Sequence, residues 1–252
     1  MIGHIAALYT YPVKGLSPAP LEAVDLTPGE AFPWDRAFAI ENGTRLFDEA
    51  APRHLPKTKF FMLARQERLA ELATRFDPAT QHLTVQHQGR IVLEANLSDT
   101  EGRQAVEAFF DRFMQDEAKG PARLVRAPGF SFSDVPAKCL SIINLASVRA
   151  LEEVIGKPID PMRFRANIYV EGLEPWADHK WVEKDLRIGD IKARGLLETT
   201  RCPATNVDPA RAVRDLDIPD TLREAFGHTN LGLYVNVETT GSIGIGDEVA
   251  LA

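Results

Sequence analysis

Short runs of alternating hydrophobic and polar residues recur along most of the chain, which is the pattern of half-buried β-strands. Gly, Pro and Asp residues separate these runs and favour turns between them. A hairpin is predicted where the runs 82–86 and 90–93 flank a Gly-containing turn. We predict further strands at residues 2–13, 21–26, 36–40, 123–126, 139–143 and 166–170.

Helices are predicted where apolar residues recur every three or four positions. Four segments have this spacing: 61–76, 100–114, about 145–155, and 221–226. Short polar residues that precede such segments are candidate N-caps, because their side chains can accept hydrogen bonds from free backbone N–H groups. The candidates are Ser98 or Thr100 for the second helix, Asn144 or Ser147 for the third, and Asp220 for the fourth.

Two segments in the second half of the chain, 186–191 and 243–249, have the same layout: an apolar strand, a Gly-Asp turn and another strand. Such turns are common at the corners of all-β barrels. Many short strands with few helices predict a mostly β fold with flanking helices (α+β), built from one or two β-barrels. The polar stretch 115–121 is the candidate boundary between a domain at 1–118 and one at 119–252.

The composition is that of an ordinary globular protein, with 252 residues, 44% hydrophobic and 26% charged. No segment approaches the roughly 20 apolar residues of a membrane helix, and no signal peptide is evident, so we expect a cytoplasmic protein without a membrane partner. The net charge of −7 argues against nucleic acid as a partner. If the ligand is an anion, the cations must be gathered locally.

Cys202 is the residue with the clearest chemical potential, since a thiolate is both a nucleophile and a soft metal ligand. It follows Arg201 and precedes Pro203. The alternative is a buried structural cysteine, which is how we interpret Cys139 in its apolar strand. Two cysteines are too few for an iron–sulfur cluster held by this chain.

Several cations sit where an anion could bind. In an extended chain Arg163 and Arg165 would share a face, which suits an anion clamp or a surface strand paired with acids. Lys14 ends the first strand beside Gly15, where it is either an oxyanion ligand or an ordinary turn lysine. Arg36 is either a salt-bridged edge residue or a third cation of such a site.

Seven motifs together resemble those of the MOSC domain proteins, a family named for the C-terminal domain of molybdenum cofactor sulfurase. Bacterial MOSC reductases and the mitochondrial amidoxime-reducing component are similar members, and the first half resembles the β-barrel domain that precedes MOSC in them. The motifs, in order, are Tyr-Pro-Val-Lys (11–14), Asp-Arg (35–36), Arg-Phe-Arg-x-Asn-Ile (163–168), Pro-Trp (175–176) near Trp181, Ile-Gly-Asp (188–190), Arg-Cys-x-x-Thr-x-Val-Asp-Pro (201–209) and Ile-x-x-Gly-Asp-x-Val (243–249).

The resemblance implies a molybdopterin-type cofactor in a cleft between a MOSC β-barrel and a smaller N-terminal β-barrel-like domain. It implies that Cys202 is the catalytic cysteine and binds the molybdenum. Pyridoxal phosphate is associated with the family in general, but no residue pattern here supports it. The implied cofactor-binding residues are Lys14, Gly15, Arg36, Asn144, Arg163, Arg165, Asn167, Thr200 and Arg201.

The resemblance also implies the reaction: reduction of small N-hydroxylated substrates, such as hydroxylamines or amidoximes. The sequence lacks the ferredoxin domain of some bacterial relatives, so the expected electron donor is a separate ferredoxin, flavoprotein or cytochrome-type protein. Two alternatives remain open. Cys202 could carry a persulfide for the maturation of a metal–sulfur cluster or cofactor, or the chain could be a non-catalytic carrier of the molybdenum cofactor.

Overall fold

A computed structural model describes residues 2–252. Three α-helices and several short 3-10 helices accompany fifteen strands in this part of the chain. The helices are α1 (Thr100–Met114), α2 (Leu145–Ile155) and α3 (Ile218–Phe226). The strands are β1 (Gly3–Thr10), β2 (Ala19–Leu21), β3 (Ala23–Leu26), β4 (Phe38–Asn42), β5 (Leu72–Asp77), β6 (His82–His87), β7 (Arg90–Asn96), β8 (Ala122–Arg126), β9 (Leu140–Asn144), β10 (Ile168–Glu171), β11 (Asp185–Ile188), β12 (Ile191–Thr200), β13 (Asn230–Val237), β14 (Gly241–Gly244) and β15 (Glu248–Leu251).

Seven strands form a closed barrel in the order β10-β9-β13-β12-β11-β15-β1, and β1 pairs back onto β10. All neighbours are antiparallel except β9 and β10, which run parallel. Alternate side chains from each strand fill the barrel with a buried apolar core that includes Ile5, Ile142, Leu186, Leu233 and Val249. The predicted mostly β fold built on a β-barrel is therefore confirmed.

A second apolar core lies in the N-terminal part, where α1 packs beside the antiparallel pair β4–β8 and the three-stranded sheet β5-β6-β7. Phe38, Phe61, Val106 and Phe110 are buried in it. Asp99 begins α1, since its carboxylate accepts a hydrogen bond from the backbone N–H of Gly102 at 2.7 Å. Ser98 and Thr100 are therefore not the N-cap that we predicted.

Within residues 2–252, four strand pairings cross the predicted boundary between residues 118 and 119: β1–β10, β1–β15, β3–β14 and β4–β8. Strand β1 belongs to the N-terminal sequence but closes the barrel, and β8 follows residue 118 but pairs with β4. The boundary stays a prediction. These pairings place the end of the first strand against both parts of the molecule, where the candidate site forms.

The predicted helix at 61–76 is wrong. Its first half contains turns and a short 3-10 helix, Glu67–Glu71, and its second half is strand β5, paired with β6. Leu72 and Phe76 are both buried. Residues four apart share a face in a helix and in a strand, so their spacing fits both structures. The pairing with β6, which local periodicity does not report, selects the strand.

The other predicted helices are present with small differences. Asn144 caps α2, because its Oδ1 accepts from the N–H of Ala146 at 3.0 Å. Helix α3 begins at Ile218 rather than at residue 221, with Asp217 and not Asp220 before its first turn. No helix within residues 2–252 has both the length and the apolar character needed to cross a bilayer.

Candidate functional site

A cavity of about 420 Å³ lies where the barrel meets the N-terminal part. Its lining gathers twice as many cations as carboxylates, in a protein whose net charge is −7. The local clustering that an anionic ligand would require is therefore present. The cations are Lys14, Arg36, Lys57, Arg163, Arg165 and Arg201, and the carboxylates are Asp35, Asp134 and Glu198.

Asp134 joins two of the lysines. Lys14 Nζ donates to its Oδ1 at 2.6 Å and to the carbonyl of Phe132 at 2.7 Å, and Lys57 Nζ donates to its Oδ2 at 2.8 Å. Burial alone would raise the pKa of Asp134, but the two ammonium groups outweigh it and hold that pKa well below its usual range. Burial lowers the pKa of Lys14, although Asp134 opposes this. One carboxylate thus serves two cations.

Arg36 is paired in a different way. Its Nη1 donates to Asp35 Oδ2 at 2.5 Å, and its Nη2 donates to the backbone carbonyl of Arg165 at 2.9 Å. Asp35 is buried, and its second oxygen accepts from the N–H of Tyr11 at 3.1 Å. Burial opposes the charge of Arg36, but Asp35 and the other neighbours raise its pKa above the ordinary value. Arg36 and Asp35 therefore form a buried ion pair that is already satisfied in the folded protein.

In the described part of the chain, residues 2–252, Arg165 forms no ion pair with a carboxylate. Its guanidinium lies 4.3 Å from the centroid of the Tyr11 ring, and its Nη2 is buried without a hydrogen bond. Burial lowers the pKa of Arg165 to about 10, and the nearby Tyr11 and Asp35 offset this effect only in part. Its backbone φ of 53° lies in the left-handed region, which non-glycine residues rarely adopt and which is enriched at functional sites.

Arg201 is held by neutral groups. Its Nε donates to the carbonyl of Leu231 at 2.7 Å and its Nη1 to the carbonyl of Phe164 at 3.0 Å. Within residues 2–252, no carboxylate forms an ion pair with Arg165 or Arg201. Burial lowers the pKa of Arg201 as well. These two guanidinium groups leave positive charge on the cavity wall that the protein does not neutralise.

Arg163 does not form the predicted clamp with Arg165. It lies in the 3-10 helix Pro161–Phe164 rather than in an extended segment, so the two residues do not share a strand face. Its Nη2 pairs with Asp215 at 2.8 Å and with Asp208 at 3.3 Å. Of the two interpretations of Arg163, an anion clamp or a pairing with nearby acids, the structure shows the pairing with acids.

Cys202 follows β12 and is half-buried on the cavity wall. Its Sγ lies 3.3 Å from Lys57 Nζ. The sequence neighbour Arg201 instead reaches the carbonyls described above. Thr205 fixes the backbone here by donating its hydroxyl to the carbonyl of Cys202 at 2.9 Å. The cation beside the thiol is thus one that lies 145 positions away in the chain.

The structure brings nearly all of the predicted site residues together. Gly15, Asn167 and Thr200 line the same cavity as Cys202 and the cations. Asn144 does not: it is fully buried at the start of α2, and its side-chain amide donates to Asp178 Oδ1 at 3.2 Å. Capping and this contact use its polar atoms, so Asn144 lies outside the cavity.

The lining residues that the sequence did not predict include Lys57, Asp134 and Cys139. Cys139 was interpreted as core, but it is half-buried on the cavity wall, and burial raises its pKa to about 12. Lys57 begins the 3-10 helix Lys57–Lys59 and Asp134 lies in an irregular connection, and neither belongs to a motif. One sequence signal was available for Lys57. Pro56 precedes it directly, and Lys14 likewise follows a proline, Pro12, which restricts the backbone before the lysine.

Two family models match the chain. The model "MOSC N-terminal beta barrel domain" matches residues 2–121, and the model "MOSC domain" matches residues 130–250. The chain belongs to the MOSC family. In this MOSC protein the two matches meet near β8, and the cavity lies between residues of both.

Curated relatives include mitochondrial amidoxime-reducing component 1 from Homo sapiens, 32% identical over 122 residues, 44% of this chain and 36% of the relative. Mitochondrial amidoxime reducing component 2 from Homo sapiens is 34% identical over 122 residues, with the same shares. Component 1 from Danio rerio is 26% identical over 179 residues, 60% of this chain and 54% of the relative. The MOSC protein thus spans about a third to a half of the length of these relatives.

Two solved structures also resemble the MOSC protein. The YUAD protein from Bacillus subtilis aligns with 99% of this chain and 94% of its own, at 15% identity and a TM-score of 0.45. YiiM from Geobacillus stearothermophilus aligns with 45% of this chain and 53% of its own, at 19% identity and a TM-score of 0.35.

The cavity lining fits an anionic cofactor that carries a thiophilic metal. The buried and unpaired Nη2 of Arg165 and the uncompensated charge of Arg201 favour an anion. The thiol of Cys202 on the same wall is a soft ligand. Residues 2–252 contain no group of three His, Cys, Asp or Glu side chains that could hold a metal. A metal at Cys202 would therefore need ligands that it brings with it.

Proposed function

We propose that this MOSC protein is a molybdenum-cofactor-dependent reductase of N-hydroxylated compounds, such as hydroxylamines and amidoximes. The observation that carries the proposal is one cavity that combines the Cys202 thiol with the uncompensated guanidinium of Arg165. The reaction class is supported by the amidoxime-reducing components among the relatives, which are partial matches of 26–34% identity.

The residues divide into two roles. Cys202 Sγ would bind molybdenum, and the cations Arg165, Arg201, Lys14 and Arg36 would hold the pterin and its phosphate. Arg163 would act indirectly, because its partners Asp208 and Asp215 fix the loop that follows Cys202. Gly15, Asn167 and Thr200 would contribute polar atoms at the wall.

When bound, the cofactor would supply two electrons to the N–OH group, so that with two protons R–NHOH gives R–NH₂ and water. Asp134 and the other neighbours raise the pKa of Lys57 to about 12, although burial opposes them. Lys57 Nζ therefore stays protonated at neutral pH and acts as a fixed positive charge beside Cys202, not as a proton donor.

The electrons would come from a separate donor, which we propose to be a ferredoxin, a flavoprotein or a cytochrome-type protein. The two cysteines of this sequence cannot provide the four thiolates that usually hold an iron–sulfur cluster. We propose a cytoplasmic location for the reaction, and small molecules as substrates.

Metal analysis of the purified protein and of Cys202→Ala tests the proposal. We expect about one molybdenum per wild-type chain, loss of that metal in Cys202→Ala, and retention in the matched control Cys139→Ala. Wild type should reduce an amidoxime with an artificial electron donor, and Cys202→Ala should not. Full metal retention in Cys202→Ala, or a loaded protein that reduces no N-hydroxylated compound, would contradict the proposal.

A sulfur carrier is the second candidate, because the ammonium of Lys57 at 3.3 Å would equally stabilise a terminal persulfide on Cys202. Its signature is sulfur released by cyanide from a protein without molybdenum. A non-catalytic cofactor carrier would instead retain the pterin and show no turnover.

A further inference from the structure

A second cavity, of about 400 Å³, adjoins the first. Both cavities are lined by Gly15, Leu63, Arg163, Arg165 and Ala204, so these residues form a shared wall. Ala204 lies two residues beyond Cys202. A ligand in the second cavity would therefore approach the thiol end of the first cavity across this wall.

Part of the lining of the second cavity is apolar and buried. Leu16, Leu69, Leu72 and Val207 line it, each with an exposed fraction of 2% or less. These residues come from both parts of the molecule. Water in such a pocket gains few hydrogen bonds from its walls, so an alkyl or aromatic group would replace it favourably.

The charged groups that line the second cavity differ in whether they have a partner of opposite charge. Arg163 is neutralised by Asp208 and Asp215, and Glu71 contacts the His87 ring at 3.0 Å. Arg163 Nε and Arg165 Nη2 are both buried without a hydrogen bond, but within residues 2–252 Arg165 forms no ion pair with a carboxylate. The second cavity therefore has a charged end at the shared wall and an apolar part beyond it, with Ser17, Gln86 and Gln88 as further polar lining residues.

We propose that the second cavity binds the apolar body of an amphipathic small molecule whose polar head lies at the shared wall. The ligand class rests on the proposed function: an N-hydroxylated compound with an alkyl or aromatic substituent, its N–OH end directed toward the first cavity. The cavity would then set the preference of the reductase among substrates, because buried methylene groups add binding free energy and solvated ones do not.

A series of straight-chain amidoximes, from acetamidoxime to octanamidoxime, tests this preference. Each buried methylene should raise kcat/KM by about fourfold until the cavity is full. Ala70 is half-buried in the lining, so Ala70→Phe should fill the cavity and remove the length dependence while acetamidoxime is reduced as before. Ala50→Phe, at a cavity beside α1, is the matched control.

Binding of octanamidoxime to the cofactor-free full chain gives a readout that needs no turnover. We expect calorimetric affinity to fall at least about tenfold in Ala70→Phe, by loss of two or more buried methylenes, and to stay unchanged in Ala50→Phe. Ala70→Leu, a smaller change, should give an intermediate loss if Ala70→Phe folds poorly.

The two proposals fail in different ways. If wild type reduces no amidoxime but octanamidoxime binding depends on Ala70, the proposed reaction is wrong and the apolar site stands. Equal binding by wild type and Ala70→Phe, or a flat chain-length series, would overturn the site. So would loss of octanamidoxime binding when the cofactor is loaded, since the cavity would then belong to the cofactor.

Discussion

Both walls of the first cavity carry cations, but the groups that contact those cations differ between the walls. The N-terminal wall, formed by Lys14, Arg36 and Lys57, pairs its cations with Asp35 and Asp134. On the C-terminal wall, Arg163 pairs with two carboxylates, but Arg165 and Arg201 are held by backbone carbonyls and aromatic rings. Each cation of the first wall has a carboxylate partner within the folded chain, although two of them share Asp134. The second has positive charge that only an added anion would compensate.

Loss of Arg36 should have the largest effect on the free energy of unfolding. In Arg36→Met, Asp35 stays buried without its cation, which should cost about 3 kcal/mol or more. Urea denaturation measures this loss. Asp35→Asn combined with Arg36→Met should recover part of it, because no charge is then left unpaired. A single variant as stable as wild type would show that the N-terminal wall is not internally paired.

Loss of Arg165 should separate binding from stability. In Arg165→Met, no carboxylate is orphaned, so the unfolding free energy of the cofactor-free protein should stay the same or rise slightly. Cofactor affinity should fall by about ten- to a hundredfold, the effect of one charge-assisted hydrogen bond. Pterin and molybdenum content after purification measure the second effect. Full cofactor content would remove Arg165 from the anion site.

The Asp134 bridge should stabilise the fold by about 1 kcal/mol, since the carboxylate is partly exposed. Its pKa is lowered in the folded protein, so this stabilisation is present above the ordinary carboxyl pKa of about 4 and is lost as pH falls through the lowered value. The stability difference between wild type and Asp134→Asn should therefore be largest near neutral pH and shrink below pH 4. A difference independent of pH would contradict the bridge.

Chemical labelling compares the two cysteines that line the cavity. Burial raises the pKa of Cys139 to about 12, so only about one molecule in ten thousand carries its thiolate at pH 8. We expect iodoacetamide to label Cys202 first, and mass spectrometry of Cys202→Ala to show almost no label until the protein is denatured. Equal labelling rates in the native protein would contradict the difference in environment.

The elements that sequence predicted well are those whose signals are local. The Gly-Asp corners, helix α1 and the Asn144 cap follow from turn chemistry and short-range periodicity. Segment 61–76 failed because its i,i+4 spacing fits both a helix and a strand. The cations inside recognised motifs were found in the cavity. Lys57 and Asp134 were not, because their contacts with Cys202 and Lys14 span 145 and 120 positions.

The position of β1 has a consequence for how the chain folds. Gly3 pairs with Val249, and His4 pairs with both Glu171 and Glu248, so the barrel closes through contacts between opposite ends of the sequence. Contacts between residues so far apart in the sequence slow folding, because a long loop must close before they form. Until then β10 and β15 each present an unpaired edge, and unpaired edges template aggregation. A fragment that begins at residue 119 would keep both edges open permanently.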